Sequence, residues 1–272
     1  MRTALLFAFL SLWFQGRGAG PQDKPFPPHK VIGNIYYVGT DLHCAFLITT
    51  PEGHILINST YERTVPIVQK AIEQLGFKFQ DVKIVLGSHA HVDHMEGDAL
   101  MKQLTGAQVM AMDRDIPALE RMRPGGKPHP IDRVLHHLDK VSLGGVTLAA
   151  HLTPGHTEGS TTWVLKAQEG GKTYDVTIMG GLGAANARLV NNKDYPKIVD
   201  DFVASYKYSR TLPCDVPLGS HPDHYLMEEK YAKIGKGPNP FIDPKGCARQ
   251  LDKWETEFRS KLEEQKKAAG AN

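Results

Sequence analysis

The chain has almost no excess of charge of either sign. Its 272 residues include 32 Lys and Arg against 30 Asp and Glu, and no dense basic patch interrupts this balance. Nucleic acids and anionic membranes are bound through such patches, so neither is a predicted partner. With 41% hydrophobic and 23% charged residues, the composition is typical of a globular protein large enough to bury its own core.

The sequence also lacks long hydrophobic runs. An apolar run near the N-terminus is too short to span a bilayer. It extends over residues 4–14, follows Arg2, and precedes several small residues at 16–20. This order of charge, apolar stretch and small residues predicts a secretory signal peptide at residues 1–19, cut somewhere between 16 and 20. A buried N-terminal helix is the alternative. Export predicts a periplasmic protein.

Cysteine is scarce, with only Cys44, Cys214 and Cys247 in the chain. In an oxidising compartment two of these cysteines can form a disulfide, and the third is left over. Their spacing does not identify the pair.

Strand-like and helix-like patterns alternate along the rest of the sequence. Runs of β-branched and aromatic residues bounded by Pro and Gly predict strands at 35–38, 45–49, 54–57, 82–86, 108–112, 161–165, 174–179 and 216–218, with a Gly144-Gly145 hairpin within 141–150. Apolar residues at helical spacing predict helices at 65–75, 97–104 and 195–208, and a long amphipathic helix at the end. This order predicts two sheets packed face to face with helices outside.

Four candidate metal ligands fall within six residues, directly after the predicted strand at 82–86. They are His89, His91, Asp93 and His94. Imidazole nitrogen and carboxylate oxygen suit Zn²⁺, and a catalytic zinc keeps an open position for water. On a bent loop the first two side chains can face one ion while the last two face a second. The motif therefore predicts a pair of zinc ions.

Two further histidines have the placement of missing third ligands. His156 follows Thr153-Pro154-Gly155 at a predicted strand end, and His221 follows the predicted strand at 216–218. Either one alone would more often be a structural or surface residue, but beside the first motif both are predicted ligands. The other histidines lack such a placement and are interpreted as surface, packing or supporting residues: His29, His43, His54, His129, His136, His137, His151 and His224.

The motif at residues 89–94, together with His156 and His221, resembles the metallo-β-lactamase superfamily. Longer stretches at 47–57, 153–163, 212–216 and 220–222 are similar to the subclass B3 metallo-β-lactamases. The likeness runs from about residue 31 to the final helix. It implies that residues 20–272 form a single catalytic domain with the α+β, four-layer αβ/βα sandwich of that family.

The resemblance also implies a ligand set and a reaction. It assigns the ligands to two zinc ions, the first bound by His89, His91 and His156 and the second by Asp93, His94 and His221. The implied reaction is hydrolysis of the β-lactam amide bond of penicillins, cephalosporins and carbapenems, which confers antibiotic resistance. A metal-bound hydroxide oriented by Asp93 would attack without an acyl-enzyme. The partner is then a small-molecule β-lactam, and a monomer is expected.

A disulfide is implied in the same way between Cys214 and Cys247, which leaves Cys44 unpaired. One segment departs from the family, because Gly181 and Gly183 stand where B3 enzymes commonly have serines that hold water or meet the substrate carboxylate.

Two residues near these glycines are candidates to supply the missing polarity. Asn186 is one, and Arg188 is the other, since a guanidinium suits a carboxylate. A solvated arginine is the plainer reading of Arg188.

Two other functions stand as alternatives. The same fold hosts thioester hydrolases of the glyoxalase II kind and lactonases, which usually place an aspartate bridging both metals after the strand at 174–179. This chain has Ile178-Met179-Gly180-Gly181 there, and the missing acid favours a lactamase. The second alternative is a non-catalytic zinc-binding protein, but two sets of three ligands leave open positions that suit catalysis.

Overall fold

The computed structural model describes residues 22–270, and the predicted signal peptide at residues 1–19 lies outside that range. The described part of the chain forms two β-sheets with helices on their outer faces. No helix among these residues is both long and apolar enough to cross a membrane.

The first sheet has seven strands that lie side by side in chain order. They are β1 (His29–Ile32), β2 (Ile35–Tyr37), β3 (Phe46–Thr50), β4 (Gly53–Ile57), β5 (Val82–Leu86), β6 (Gln108–Met112) and β7 (Arg133–Leu135). β1 to β4 pair antiparallel, and β4 to β7 pair parallel. Parallel neighbours need crossover connections, which contain α1 (Val65–Gln74), then α2 (Val92–Met95) with α3 (Asp98–Thr105), then α4 (Ile116–Arg121).

The second sheet has five strands in the order β12-β11-β10-β9-β8. They are β8 (Lys140–Leu143), β9 (Val146–Leu152), β10 (Thr161–Glu169), β11 (Lys172–Met179) and β12 (Val216–Gly219). All neighbours pair antiparallel except β11 and β12, which are parallel. The connection between those two contains α5 (Ile198–Ser209), and α6 (Met227–Tyr231) and α7 (Gly246–Ala268) follow β12.

Three apolar clusters define the layers. The inner faces of the two sheets meet in a core that includes Phe46, Ile57, Trp163, Ile178 and Leu218. A second cluster joins the outer face of the first sheet to α1 and α3 and includes Leu56, Val68, Met101 and Val109. A third cluster covers the second sheet with α5 and α7 and includes Met179, Phe202, Leu251 and Phe258. The predicted four-layer αβ/βα sandwich is confirmed.

Local sequence explains the best-predicted elements. The turn between β8 and β9 has φ of 50° at Gly144 and 84° at Gly145, as a two-residue hairpin with positive φ at both central positions requires. On α1, Val65, Val68, Ala71 and Ile72 form the buried face, which matches the predicted spacing. β5 and β6 have the predicted bounds.

The start of α5 differs from the prediction, which placed it at residue 195. The helix begins at Ile198, because Oδ1 of Asn192 accepts hydrogen bonds from the backbone amides of Asp194 and Tyr195 and holds that segment in a turn. Asn and Asp side chains commonly stabilise such turns in competition with a helix.

A disulfide joins Cys214, just before β12, to Cys247 in the first turn of α7. This is the pairing that the resemblance implied. Cys44 is buried and has no disulfide partner. The bond fixes the start of α7 beside the strand that leads into His221.

Candidate metal centre

Three strand ends bring the candidate ligands to one edge of the sandwich. The segment after β5 carries His89 and His91, and the one-turn helix α2 carries Asp93 and His94, where the sequence suggested a bent loop. The loop after β9 carries His156, and β12 is followed directly by Ser220 and His221. All six predicted ligands therefore meet, although they lie as far as 132 residues apart in sequence (89 to 221).

His89, His91 and His156 form the first group. They offer ring nitrogens that all lie within 4.8 Å of one another, and Nε2 of His156 is 3.2 Å from Nδ1 of His91. Nδ1 of His156 donates a hydrogen bond to the carbonyl oxygen of Gly183 at 2.7 Å. This bond fixes the imidazole so that Nε2 faces the other two histidines.

Asp93 is the centre of the second group. Its Oδ2 lies 3.2 Å from Nε2 of His94 and 3.6 Å from Nε2 of His221. Nδ1 of His221 donates a hydrogen bond to the carbonyl oxygen of Leu42 at 3.0 Å. The two groups adjoin, because the ring centroids of His89 and His94 are 4.2 Å apart.

His43 also faces the second group, with Nε2 3.5 Å from Oδ2 of Asp93. From its sequence context alone, His43 is expected to be a surface, packing or supporting histidine. Nothing in its local pattern could have shown its position, because it lies in the connection between β2 and β3 and approaches Asp93 only through the fold. His224 lies behind His221, with its ring packed edge-on against Trp254.

The buried nitrogens of the two groups fit a metal site. Among the described residues, Nε2 of His89 and both ring nitrogens of His94 are buried without a hydrogen-bond partner. Buried polar atoms of this kind are rare and costly, and a cation would satisfy them. A donor set of imidazole nitrogens with one carboxylate oxygen suits Zn²⁺.

The protonation states of these ligands suit the same chemistry. Burial holds the pKa of His89 well below its ordinary value, and it lowers the pKa of His94 and His156 to about 4. Burial alone would raise the pKa of Asp93, but contacts with His94 and His221 outweigh it and lower that pKa. At neutral pH His89, His94 and His156 are therefore neutral imidazoles and Asp93 is an ionised carboxylate, the forms that bind metal.

Comparison with known proteins decides the family. Residues 38–168 match the family model described as the Metallo-beta-lactamase superfamily. The native FEZ-1 metallo-beta-lactamase from Legionella gormanii superposes with a TM-score of 0.87 at 42% identity, over 91% of this chain and 99% of that one. BJP-1, a subclass B3 metallo-beta-lactamase of Bradyrhizobium japonicum, gives a TM-score of 0.84 at 36% identity, over 90% and 97%. The chain belongs to the metallo-β-lactamase superfamily, subclass B3. It is therefore a hydrolase.

Curated sequences give weaker and shorter matches. The hydroxyacylglutathione hydrolase of Methylobacterium sp. (strain 4-46) is 24% identical over 173 residues, which are 64% of this chain and 60% of that protein. The enzyme with the same description from Anaeromyxobacter dehalogenans (strain 2CP-C) is 36% identical over 141 residues, 52% and 47%. The chain thus spans less than two thirds of the length of these relatives.

Gly181 of this B3 enzyme lies directly beneath the imidazole of His156. A Cβ atom at position 181 would lie 2.4 Å from Cδ2 of His156, far inside van der Waals contact. Glycine at this position therefore lets the His156 ring lie against the backbone. The carbonyl oxygen of Gly183 accepts the hydrogen bond from Nδ1 of His156 and so fixes the same ring.

A cleft of about 250 Å³ opens beside the first group. Gly181, Gly183 and Asn186 line it, and Lys253 and Glu257 of α7 line its other side. Arg188 is exposed and is not among the lining residues; its Nε donates a hydrogen bond to the carbonyl oxygen of Val190 at 3.3 Å. Lys253 cannot be predicted as a cleft residue from the sequence, where it is one surface lysine on an amphipathic helix.

Proposed function

We propose that this enzyme hydrolyses the amide bond of β-lactam antibiotics, including penicillins, cephalosporins and carbapenems, and so confers resistance. One observation carries the proposal: two adjoining ligand groups lie in a fold that matches a metallo-β-lactamase over 99% of its chain, and their buried His89 and His94 nitrogens have no hydrogen-bond partner in the described part of this chain. We further propose that residues 1–19 are a signal peptide and that the mature enzyme acts in the periplasm as a monomer.

The six predicted ligands would hold two zinc ions, with His89, His91 and His156 at the first and Asp93, His94 and His221 at the second. Zinc held by these residues would supply a water that is activated near neutral pH and would polarise the carbonyl of the substrate. The ionised carboxylate of Asp93 would help to orient the attacking water. The protein supplies no covalent nucleophile in this scheme, so no acyl-enzyme forms.

The cleft beside the first group would bind the rest of the substrate. The β-lactams named above carry a carboxylate near the scissile ring. Asn186 and Lys253 both line this cleft and can meet such a group with an amide and an ammonium. Gly181 and Gly183 leave room where a larger side chain would contact His156 or Trp254.

Hydrolysis of a thioester or a lactone is the second candidate, because the curated relatives are described as hydroxyacylglutathione hydrolases. The end of β11 argues against it. Met179 is followed by Gly180 and Gly181, so the bridging aspartate expected for those hydrolases is missing from this strand end.

A substrate panel tests the proposal. The purified protein would be assayed with one penicillin, one cephalosporin, one carbapenem, a glutathione thioester and a lactone, after chelation and after zinc is restored. We expect zinc-dependent turnover of β-lactams and the highest kcat/KM on one of them. His156→Ala should lose turnover, while His136→Ala, at an exposed histidine outside the site, should retain it. A preference for the thioester, or turnover that survives exhaustive chelation, would contradict the proposal.

A further inference from the structure

His43 lies in the connection between β2 and β3, and its imidazole approaches the second ligand group. Its Nε2 is 3.5 Å from Oδ2 of Asp93, and Nε2 of His221 is 3.6 Å from the same oxygen. The donor atoms of His43, Asp93 and His221 all lie within 4.8 Å of one another. His43 therefore lies at nearly the same distance from Asp93 as His221, which is a predicted metal ligand.

The other nitrogen of His43 is held by a carboxylate. Nδ1 lies 2.5 Å from Oδ1 of Asp23, whose side chain is 1% exposed. Asp23 also accepts hydrogen bonds from Oγ1 of Thr40 and Nη2 of Arg63, both at 2.8 Å. Burial alone would raise the pKa of Asp23, but the hydrogen bonds from His43 and Thr40 lower it, with the nearby charge of Arg63. Asp23 is therefore an anionic acceptor.

The contact with Asp23 occupies Nδ1 of His43 and leaves Nε2 as the ring nitrogen that faces Asp93. A metal ion between Nε2 and Oδ2 of Asp93 would have a donor atom on either side. A metal-binding histidine commonly donates its other N–H to a carboxylate, which fixes the ring and raises its basicity.

The backbone around His43 supports the same role. Oγ1 of Thr40 accepts a hydrogen bond from the His43 amide at 3.0 Å, so the connection is fixed near the ring. The carbonyl oxygen of the preceding residue, Leu42, holds Nδ1 of His221. One short segment therefore orients His221 and presents His43 beside it.

We infer that His43 is a fourth protein ligand of the second metal site and that Asp23 is its positioning residue. The inference rests on the proposed function only in taking this site to bind zinc. The second ion would then have nitrogen donors from His43, His94 and His221 and an oxygen donor from Asp93. Catalytic zinc can expand to five donors, so these four ligands are compatible with a bound water.

Metal binding without substrate tests the inference. Equilibrium dialysis at buffered free zinc, with metal analysis, would be run on the parent and on His43→Gln, Asp23→Asn and the control His54→Gln. His54 is also a buried histidine, but it lies in β4 and belongs to neither ligand group. We expect the parent to bind two ions. His43→Gln should weaken the second ion at least roughly tenfold, Asp23→Asn should weaken it roughly tenfold, and neither should change the first.

The absorption spectrum of the cobalt-substituted protein gives an independent readout. Loss of an imidazole from the second ion should change the position and intensity of its d–d bands in His43→Gln, while the bands of the first ion stay unchanged. Near-ultraviolet circular dichroism of the chelated proteins would verify that they fold. If His43→Gln does not fold, the zinc affinity and cobalt spectrum of Asp23→Asn test the inference instead.

The inference would be overturned if the folded variants kept the affinity for the second zinc ion and the cobalt spectrum of the parent. It would also be overturned if the parent bound only one zinc ion. Failure to hydrolyse β-lactams would refute the proposed substrate and would leave this result untouched.

Discussion

The carboxylate of Asp115 accepts a hydrogen bond from the backbone amide of Gly159 at 2.8 Å. Its second oxygen accepts hydrogen bonds from the Ala90 amide at 2.8 Å and from Oγ1 of Thr157 at 3.0 Å. Ala90 lies between two predicted ligands, and Thr157 follows His156. The Asp115 side chain, which is 3% exposed, therefore connects the two loops that carry the first group of predicted ligands.

Asp115→Asn should loosen both loops, because an amide has one acceptor oxygen where the carboxylate has two. At least one donor among Ala90, Thr157 and Gly159 is then left unsatisfied in a buried place. We expect a loss of about 1–3 kcal/mol in the free energy of unfolding of the chelated protein and a roughly tenfold or larger loss of zinc affinity at the first site. Urea unfolding and competition with a chromophoric chelator measure the two effects.

The matched control is Asp113→Asn, two residues earlier in the same short turn. The Asp113 side chain is 38% exposed and touches neither loop. Equal losses of zinc affinity in the two variants would show that Asp115 has no special role in positioning the ligands.

Trp163 connects the two sheets immediately next to the ligand motif. It is buried in β10, and its Nε1 donates a hydrogen bond to the carbonyl oxygen of Gly87 at 3.0 Å. Trp163→Phe removes the donor and leaves that carbonyl buried without its partner, so the free energy of unfolding should fall by about 2–4 kcal/mol from the lost bond and lost volume. Urea denaturation of the chelated protein measures it. A loss below about 0.5 kcal/mol would show that the contact does not contribute to stability.

The Cys214–Cys247 disulfide closes a 33-residue separation that contains β12 and His221. Replacing both cysteines by alanine should lower the free energy of unfolding by about 3–4 kcal/mol, chiefly because the unfolded chain gains freedom. Chemical denaturation under oxidising conditions gives the value. Added reductant should destabilise the parent and leave the double variant unchanged; if both respond alike, the disulfide is not the cause.

The sequence predicted most accurately what local patterns determine. β5 and β6 are short apolar runs between clear breaks, and the Gly144-Gly145 turn needs a conformation that glycine adopts freely. The short helices α4 and α6 were missed, because five or six residues carry too little periodicity to separate a helix from a turn.

The same limit applies to the candidate site, where only residues marked by a local sequence pattern were predicted. Clustering in sequence revealed His89, His91, Asp93 and His94, and strand ends located His156 and His221. Asp115 and His43 act through contacts with residues far along the chain, Gly159 and Asp93. No local pattern marks such residues, so only the folded structure brings them to notice.

Lys253 and Arg188 are rival partners for the substrate carboxylate. Lys253 lines the cleft beside the first metal group, whereas the Nε of Arg188 is bonded to Val190. Because an exposed ion pair contributes about 0.2–1 kcal/mol, Lys253→Met should raise KM for a cephalosporin roughly twofold to fivefold, with little change in kcat. Arg188→Met should leave KM unchanged. Steady-state kinetics compares the two variants, and a larger rise from Arg188→Met would reverse the assignment.

A buried ion pair behind the ligand helix makes stability depend on pH. Nε2 of His129 lies 3.2 Å from Oδ2 of Asp98, and both side chains are fully buried. Burial alone would lower the pKa of His129, but contact with Asp98 outweighs it and raises that pKa above its ordinary value. Because the folded-state pKa exceeds the unfolded-state value, the pair stabilises the protein fully below about pH 6.5, and this contribution is lost as the pH rises through the folded-state pKa.

His129→Gln should therefore destabilise the chelated protein more at about pH 6 than at about pH 9. At the lower pH the loss should be about 3–5 kcal/mol, because the variant leaves the Asp98 carboxylate buried without its charged partner. Urea unfolding at both pH values gives the two differences from the parent. The control His136→Gln, at a side chain 66% exposed, should show only a small difference from the parent at either pH. The destabilisation caused by His129→Gln could instead stay constant or grow toward alkaline pH. That result would show that the His129 imidazole is not held in its charged form, because only the charged form stops stabilising the fold when the proton leaves.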